Sequence, residues 1–283
     1  MPSSEERIQH VSDTALMVAA CRGMEDARAD GFVRDPFAER LAGKRGMALA
    51  RGLPNVELMC FGVGMRSRFL DELLLQAVGE QGITTVVCLG AGLDSRPWRL
   101  EVPADVRWIE VDFPDMLDYK AAVLASEKPK CRLERMAADL NDPSERARIL
   151  AGAGDGAGLA ITEGLLMYLP AETVEALAEE MARAGGIRYW LLDVTSQHLS
   201  QRLNRGSMQD IENVRAAGHL QGGEILDVVA RHGWSPFDRR TYVADGGAIA
   251  ARRIMAMGGQ VPAAPRAPVP ADDPSGVHLF ARQ

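Results

Sequence analysis

Cysteine is scarce in this chain of 283 residues, and the four present, Cys21, Cys60, Cys88 and Cys131, show no paired spacing. That excludes a disulfide framework or a cysteine-held zinc site, and it points to buried thiols in a reducing compartment. The histidines, His10, His198, His219, His232 and His278, are equally scattered and offer no metal-ligand spacing. No apolar run approaches the ~20 residues of a membrane-crossing helix. The opening MPSSEERIQ lacks the apolar core of a secretory signal, so a soluble, cytoplasmic chain with no membrane partner is expected. Positive charge is in deficit: 32 Lys and Arg against 39 Asp and Glu give a net charge of -7. A nucleic-acid partner is not expected, because a polyanion needs an electropositive face. There is no GxSxG elbow for a serine hydrolase. Apolar content of 47% and charged content of 25% are ordinary globular values, and the length suffices for a substantial core.

What is present is concentrated in residues 86–99, VVCLGAGLDSRPWR. Four apolar residues run into Gly90-Ala91-Gly92, and twenty residues past Gly92 stands Asp112, at the end of a second apolar run over 106–111. This is the layout of a nucleotide-binding βαβ start: a buried strand, a tight glycine turn against which a ligand lies, and an acid for a ribose. The third glycine of the dinucleotide fingerprint is missing, Ser95 holding that place, while Asp94, Arg96 and Pro97 follow. A pyrophosphate wants free amides at a helix N-terminus. An adenosyl ligand with an amino-acid tail and no phosphate suits this turn better. The alternative is a turn whose glycines serve packing alone.

Residues 4–80 read as helices: Val11, Leu16, Met17 and Ala20 behind caps at Ser12 or Asp13, a turn and helix at 35–43, and a helix at 66–78 with Phe69, Leu70, Leu73, Leu74 and Ala77 on one face. From residue 82 strands and helices alternate, with strands at 83–89, 106–111, 131–136, 158–163 and 187–194 and helices near 114–126, 143–151 and 171–184. Such alternation forces parallel pairing. A polar stretch at 196–220 follows the fifth strand, either a lid over a substrate or a solvated connection. Then come a helix at 223–232, a strand at 234–242, a helix at 246–257, an extended loop with five prolines at 260–274, and a last strand at 277–282.

The strings RSRFLDELL (66–74), VVCLGAGLDSRPWRL, IEVDFPDMLDYK (109–120), AADL (137–140) and ITEGLLMYLP (161–170) resemble, in order, the leucine carboxyl methyltransferase family. The similarity runs from about Thr14 to about Asp193. In bacteria that family includes many small-molecule O-methyltransferases of secondary metabolism. The resemblance implies an α/β class I methyltransferase fold that binds S-adenosyl-L-methionine, with a Rossmann-like, seven-stranded, mostly parallel sheet whose last strand is antiparallel. It divides the chain into an N-terminal helical cap (1–80) and a cofactor-binding domain (81–283) with a lid insertion at about 196–221.

Asp112 suits the ribose, and Asp139 with Leu140 suits the adenine edge; the family has these contacts at the matching positions. Asp139 is alternatively a helix N-terminal signal, with Asn141, Asp142 and Pro143 beside it. For the methionine tail the resemblance implies a carboxylate-binding arginine at Arg66 and a basic residue near Arg22, while Gly90, Ala91 and Gly92 let the tail cross the strand end. Glu163, closing the fourth strand, could meet the tail's ammonium or the sulfonium; a carboxylate buried there without a partner would be costly. Tyr168 could donate to the acceptor or form a wall, and His198 or His219 in the lid is a candidate base. Phe61, Met65 and Met167 are expected to shape the acceptor pocket. With no compelling base, a carboxylate acceptor, already ionised at pH 7, is favoured over a phenol or other hydroxyl. Two other classes remain open. A nicotinamide oxidoreductase predicts a tyrosine with a lysine four residues on, which Tyr119, Tyr168, Tyr189 and Tyr242 lack. A binding protein that holds the cofactor without transferring methyl would yield no product.

Overall fold

The computed structural model describes residues 11–196, 199, 218–256 and 273–283. Three helices lead the chain: α1 (Val11–Asp26), α2 (Ala38–Arg51) and α3 (Val56–Glu80). Since α1 already begins at Val11, Ser12 and Asp13 lie in its first turn rather than capping it. The Asp13 carboxylate instead accepts from Arg45 Nε of α2 at 2.7 Å. α2 bends at Gly43, where φ is 58°.

The alternation then runs β1 (Thr85–Leu89), α4 (Arg96–Arg99), β2 (Arg107–Asp112), α5 (Pro114–Val123), β3 (Arg132–Ala137), α6 (Pro143–Ala153), β4 (Gly158–Thr162), α7 (Ala171–Arg183), β5 (Ile187–Val194), α8 (Gly222–Arg231), β6 (Trp234–Thr241), α9 (Ala244–Ala256) and β7 (Gly276–Arg282). The ends depart from the expected ones by a few residues, as frayed termini do. The seven strands form one sheet in the order β3-β2-β1-β4-β5-β7-β6, with β7 antiparallel to both neighbours and the other described pairings parallel. A seven-stranded, mostly parallel sheet with its last strand antiparallel is what the resemblance implied. The lid at 196–221 lies mostly, and the proline-rich loop at 260–274 almost wholly, outside the described residues. Among the described residues no helix is long and apolar enough to cross a membrane.

The period-two alternation of β1 divides the core. Val86 and Cys88 pack with Phe69, Leu70, Leu73 and Leu74 of α3, while Val87 and Leu89 pack on the opposite face with residues of α6, α7 and α8. β1 is therefore buried on both faces, and a continuous apolar run is what such a strand requires. α1 and α2 form a further layer with Leu93, Trp98 and Met116, beside the loop that follows β1. The strand order reverses between β1 and β4, so the crevice at their carboxyl ends is the ligand site of an open α/β sheet.

One buried cation shapes that crevice. Lys120 of α5 is fully buried, and its Nζ donates to Glu110 Oε1 (2.7 Å), Asp94 O (3.1 Å) and Ala91 O (3.3 Å). Three acceptors match the three donors of an ammonium, which offsets the cost of burying it. Glu110, itself buried on β2, also accepts from Arg135 Nε at 3.1 Å. Lys120 thus holds the carbonyls at both ends of the 91–94 loop. Lys120→Met should lower unfolding stability by about 3–5 kcal/mol in urea titration, because Glu110 loses its buried partner. Adding Glu110→Leu should recover most of the loss; a single variant as stable as the parent would contradict this account.

Candidate active site

A cavity of about 440 Å³ opens over the carboxyl ends of β1, β2, β4 and β5. Arg22, Arg66, Gly90, Ala91 and Gly92 line it, as do Asp112, Asp139, Leu140, Glu163 and Tyr168. Phe61, Met65 and Met167 stand in its wall. His198 lies outside the described residues. His219 is not among the described lining residues; its backbone bridges to Pro170 instead. No histidine or lysine occurs among the described lining residues.

At the nucleoside end, Gly90 and Gly92 have φ of 62° and 42°, a region costly for any other residue. A side chain on Gly90 would strike Leu165 at 2.7 Å, whereas one on Gly92 would come no nearer than 3.6 Å to Ala15 and would stand in the cavity. Asp112 Oδ2 accepts from Gly92 N at 2.6 Å and Oδ1 from Phe113 N at 2.7 Å. A carboxylate has about four lone-pair sites, so each oxygen retains capacity for a further donor. Burial pushes the Asp112 carboxyl up, against the pull of those two amides and of Lys120. Phe113, missed in the sequence, lines the cavity and leaves 45% of its surface exposed. Asp139 Oδ1 accepts from Asn141 N (2.9 Å) and Nδ2 (3.0 Å), and the cap of α6 is Asp142, which accepts from Ser144 N at 2.7 Å. The helix-capping role considered for Asp139 therefore belongs to its neighbour.

At the other end the charged groups interlock. Arg66 of α3 donates through Nε to Glu163 Oε1 (3.1 Å) and through Nη1 to Asp193 Oδ2 (3.5 Å). The second Glu163 oxygen accepts from Arg96 Nη1 at 2.7 Å. Arg96, 2% exposed, also donates to Asp71 Oδ1 (2.6 Å) and Asp94 Oδ2 (3.0 Å), and Arg99 donates to both oxygens of Asp71. Glu163 is thus not the partnerless carboxylate whose burial would be costly. Burial alone would raise its pKa, but Arg96 and then Arg66 lower it to about 2. Asp193 is pushed up by burial, although Arg66 and the Gly164 amide, 2.6 Å from Oδ1, oppose the shift. Arg22 is braced by Asp35 Oδ2 (2.8 Å) and Leu93 O (2.6 Å). Four carboxylates, Asp71, Asp94, Glu163 and Asp193, face three guanidiniums, Arg66, Arg96 and Arg99, leaving one negative charge. Asp193 carried a readable signal, an acid near the end of a parallel strand; the direction of the Arg96 side chain did not.

This donor set fits S-adenosylmethionine. Bare peptide at Gly92, an acid with spare acceptor capacity, apolar surface at Phe113 and Leu140, and a surplus negative charge suit a zwitterionic, cationic nucleoside. The volume is in the range of small-molecule pockets.

A family model described as leucine carboxyl methyltransferase matches residues 15–182. A Streptomyces coelicolor protein named as an S-adenosyl-L-methionine-dependent methyltransferase is 38% identical over 238 residues, covering 78% of this chain and 82% of its own length. A like-named protein of Mycolicibacterium smegmatis is 34% identical and covers 68% of each. Among solved structures, a DUF574 family protein from Streptomyces avermitilis aligns with a TM-score of 0.60 at 13% identity, over 95% of this chain and 97% of that one. A Thermobifida fusca protein described as a methyltransferase aligns at 0.58 with 17% identity, over 95% and 94%. The two structures bear on the fold alone.

The arginine pairing of Glu163 has a pH signature. Its carboxyl titrates from 4.5 when unfolded to about 2 when folded. A lowered folded value adds stability that is whole above the unfolded pKa and is lost as pH falls toward the folded one. Between pH 5 and 3 the parent should lose about 2 kcal/mol more than Glu163→Gln in chemical denaturation. Parallel stability curves would show that the pairing contributes nothing to folding.

Proposed function

Because the chain belongs to the leucine carboxyl methyltransferase family and is an S-adenosylmethionine-dependent methyltransferase, we propose that it methylates an oxygen, that of a small-molecule carboxylate, in secondary metabolism. One observation carries the choice of acceptor: the described lining offers no customary base beside Arg66, with Asp112 and Asp139 standing at the nucleoside end and Asp94 paired with Arg96. It has no histidine or lysine, Glu163 is held ionised by two guanidiniums, and Asp193 is engaged by Arg66 and the Gly164 amide. A carboxylate, ionised at pH 7, needs no base, whereas a hydroxyl does.

When bound, S-adenosylmethionine would supply an electrophilic methyl group for an acceptor oxygen, its sulfur keeping the electron pair of the S–C bond and leaving as the neutral thioether. The chain's part is to bind, orient and keep out water. Asp112 accepts from the ribose hydroxyls, with Asp139, Leu140 and Phe113 at the adenine. Gly90, Ala91 and Gly92 give the amino-acid tail a bare path, with Arg66 and Arg22 for its carboxylate and Glu163 for its ammonium. Tyr168 donates its hydroxyl to the acceptor. The cap at 1–80 is assigned to the acceptor side; His198 and most of the lid at about 196–221 lie outside the described residues.

A second reading, a neutral phenol or alcohol, draws on the charge of the wall: Asp94, Asp112, Asp139, Glu163 and Asp193 outnumber Arg22 and Arg66, a setting that favours an uncharged acceptor. Mild alkali separates the two. A methyl ester is hydrolysed and an aryl or alkyl ether survives, so an alkali-stable product would overturn the carboxylate reading. Asp112→Ala should weaken S-adenosylhomocysteine binding by ~1–3 kcal/mol in calorimetry, the cost of lost charged hydrogen bonds. Undiminished affinity would remove Asp112 from the ribose site.

A further inference from the structure

Beyond the nucleoside end the cavity follows the first half of α3. Leu58, Met59, Gly62, Met65 and Arg66 all line it. Their spacing puts them on one stripe of the helix. At the inner end Arg66 meets Glu163, and at the outer end Leu58 is 45% exposed. The eight steps from Leu58 to Arg66, at a rise of 1.5 Å each, make the stripe about 12 Å long. The facing wall is also largely apolar, with Val18 of α1, Met167 and Tyr168 beyond β4, and Tyr242 beyond β6.

Gly62 sits in the middle of this stripe. Glycine is among the poorest helix formers, so its presence inside a 25-residue helix asks for a reason. For Gly64, two positions on, the reason is packing: a Cβ there would lie 2.8 Å from Glu25 Cγ. At Gly62 a Cβ meets no atom within 4 Å. Among the described residues no atom excludes a side chain from that place, and Gly62 itself lines the cavity.

We propose that this groove takes the body of the methyl acceptor, a slender apolar chain of about 12 Å, with the reacting group at the Arg66 end and the tail leaving past Leu58. The proposal rests on reading the cavity as the acceptor site; with the carboxylate reading, it makes the substrate class a lipophilic acid. Met59, Met65 and Met167 supply a wall that conforms to a flexible chain. Burying each added methylene then tightens binding about fourfold until the rim is reached.

The test uses butanoate, octanoate and dodecanoate, with the polar acid citrate and matching 4-alkylphenols, each scored for methylated product by mass spectrometry. kcat/KM should climb severalfold for each added methylene up to octanoate, with citrate inert. Gly62→Leu puts a side chain into the groove at a helical position that tolerates it. It should cut the dodecanoate-to-butanoate ratio of kcat/KM tenfold or more, while S-adenosylhomocysteine calorimetry and the melting temperature report an intact fold and cofactor site. Methylation of the alkylphenols in place of the acids, with the same chain-length rise and the same Gly62→Leu effect, supports the groove and overturns only the carboxylate reading. Rates indifferent to chain length, citrate turned over as well as octanoate, or a Gly62→Leu ratio unchanged from the parent would overturn the groove.

Discussion

The hydrogen bond of 2.6 Å from the Gly92 amide to Asp112 Oδ2, beside the backbone bond of 2.9 Å from Ala91 N to Val111 O, ties the loop after the first strand to the end of the second. It needs Gly92 at positive φ, so that the amide points sideways toward β2. It also needs the parallel register that sets Leu89 beside Val111 and so brings Asp112 level with the loop. Lys120 supports the same loop from within through the carbonyls of Ala91 and Asp94. Amides are thus held by the acid and carbonyls by the buried ammonium, and the loop keeps one shape without a ligand's help. Preorganisation of this kind lowers the ordering cost that binding would otherwise carry.

The cavity built on that loop has a charged half and an apolar half. In the first, Arg66, Asp94, Glu163 and Asp193 line the cavity and interlock with Arg96, Arg99 and Asp71 behind them, and the surplus negative charge suits a cationic cofactor. Glu163 is held ionised by Arg96 and Arg66, and the other three acids are hydrogen-bonded within the network. In the second, the stripe of α3 with Met59 and Met65, and Val18 and Met167 across from it, is largely apolar. On the proposed reading, reaction at the boundary would join a charged donor to the head of an apolar molecule in a site that can be kept dry, where positioning supplies much of the acceleration.

Much of this was legible in the residues. The apolar run into Gly90-Ala91-Gly92, the acid at Asp112 and the alternation of strands with helices follow from steric and burial rules that act locally, and each lies where expected to within a few residues. The strand order came from the family resemblance, because periodicity carries no information about which strands are neighbours. Three features were hidden for a related reason. The side chain of Arg96 turns inward to Glu163, 67 residues away in sequence. Glu110 and Lys120 pair across ten residues that span a strand end and a helix start, a separation with no periodic signature. That Gly62 lines the cavity depends on elements distant in sequence, which the residues around it do not report. Asp193 and Phe113, by contrast, carried the same strand-end signal as Asp112 and could have been read.

The central claim is that the Gly92–Asp112 junction is the seat of the adenosyl group. A crystal structure of the protein grown with S-adenosylhomocysteine tests it most directly. Ligand density lying over Gly92, with both ribose hydroxyls bonded to the Asp112 carboxylate, is the predicted result. Density elsewhere in the cavity, with Asp112 bonded only to the Gly92 and Phe113 amides, would contradict it.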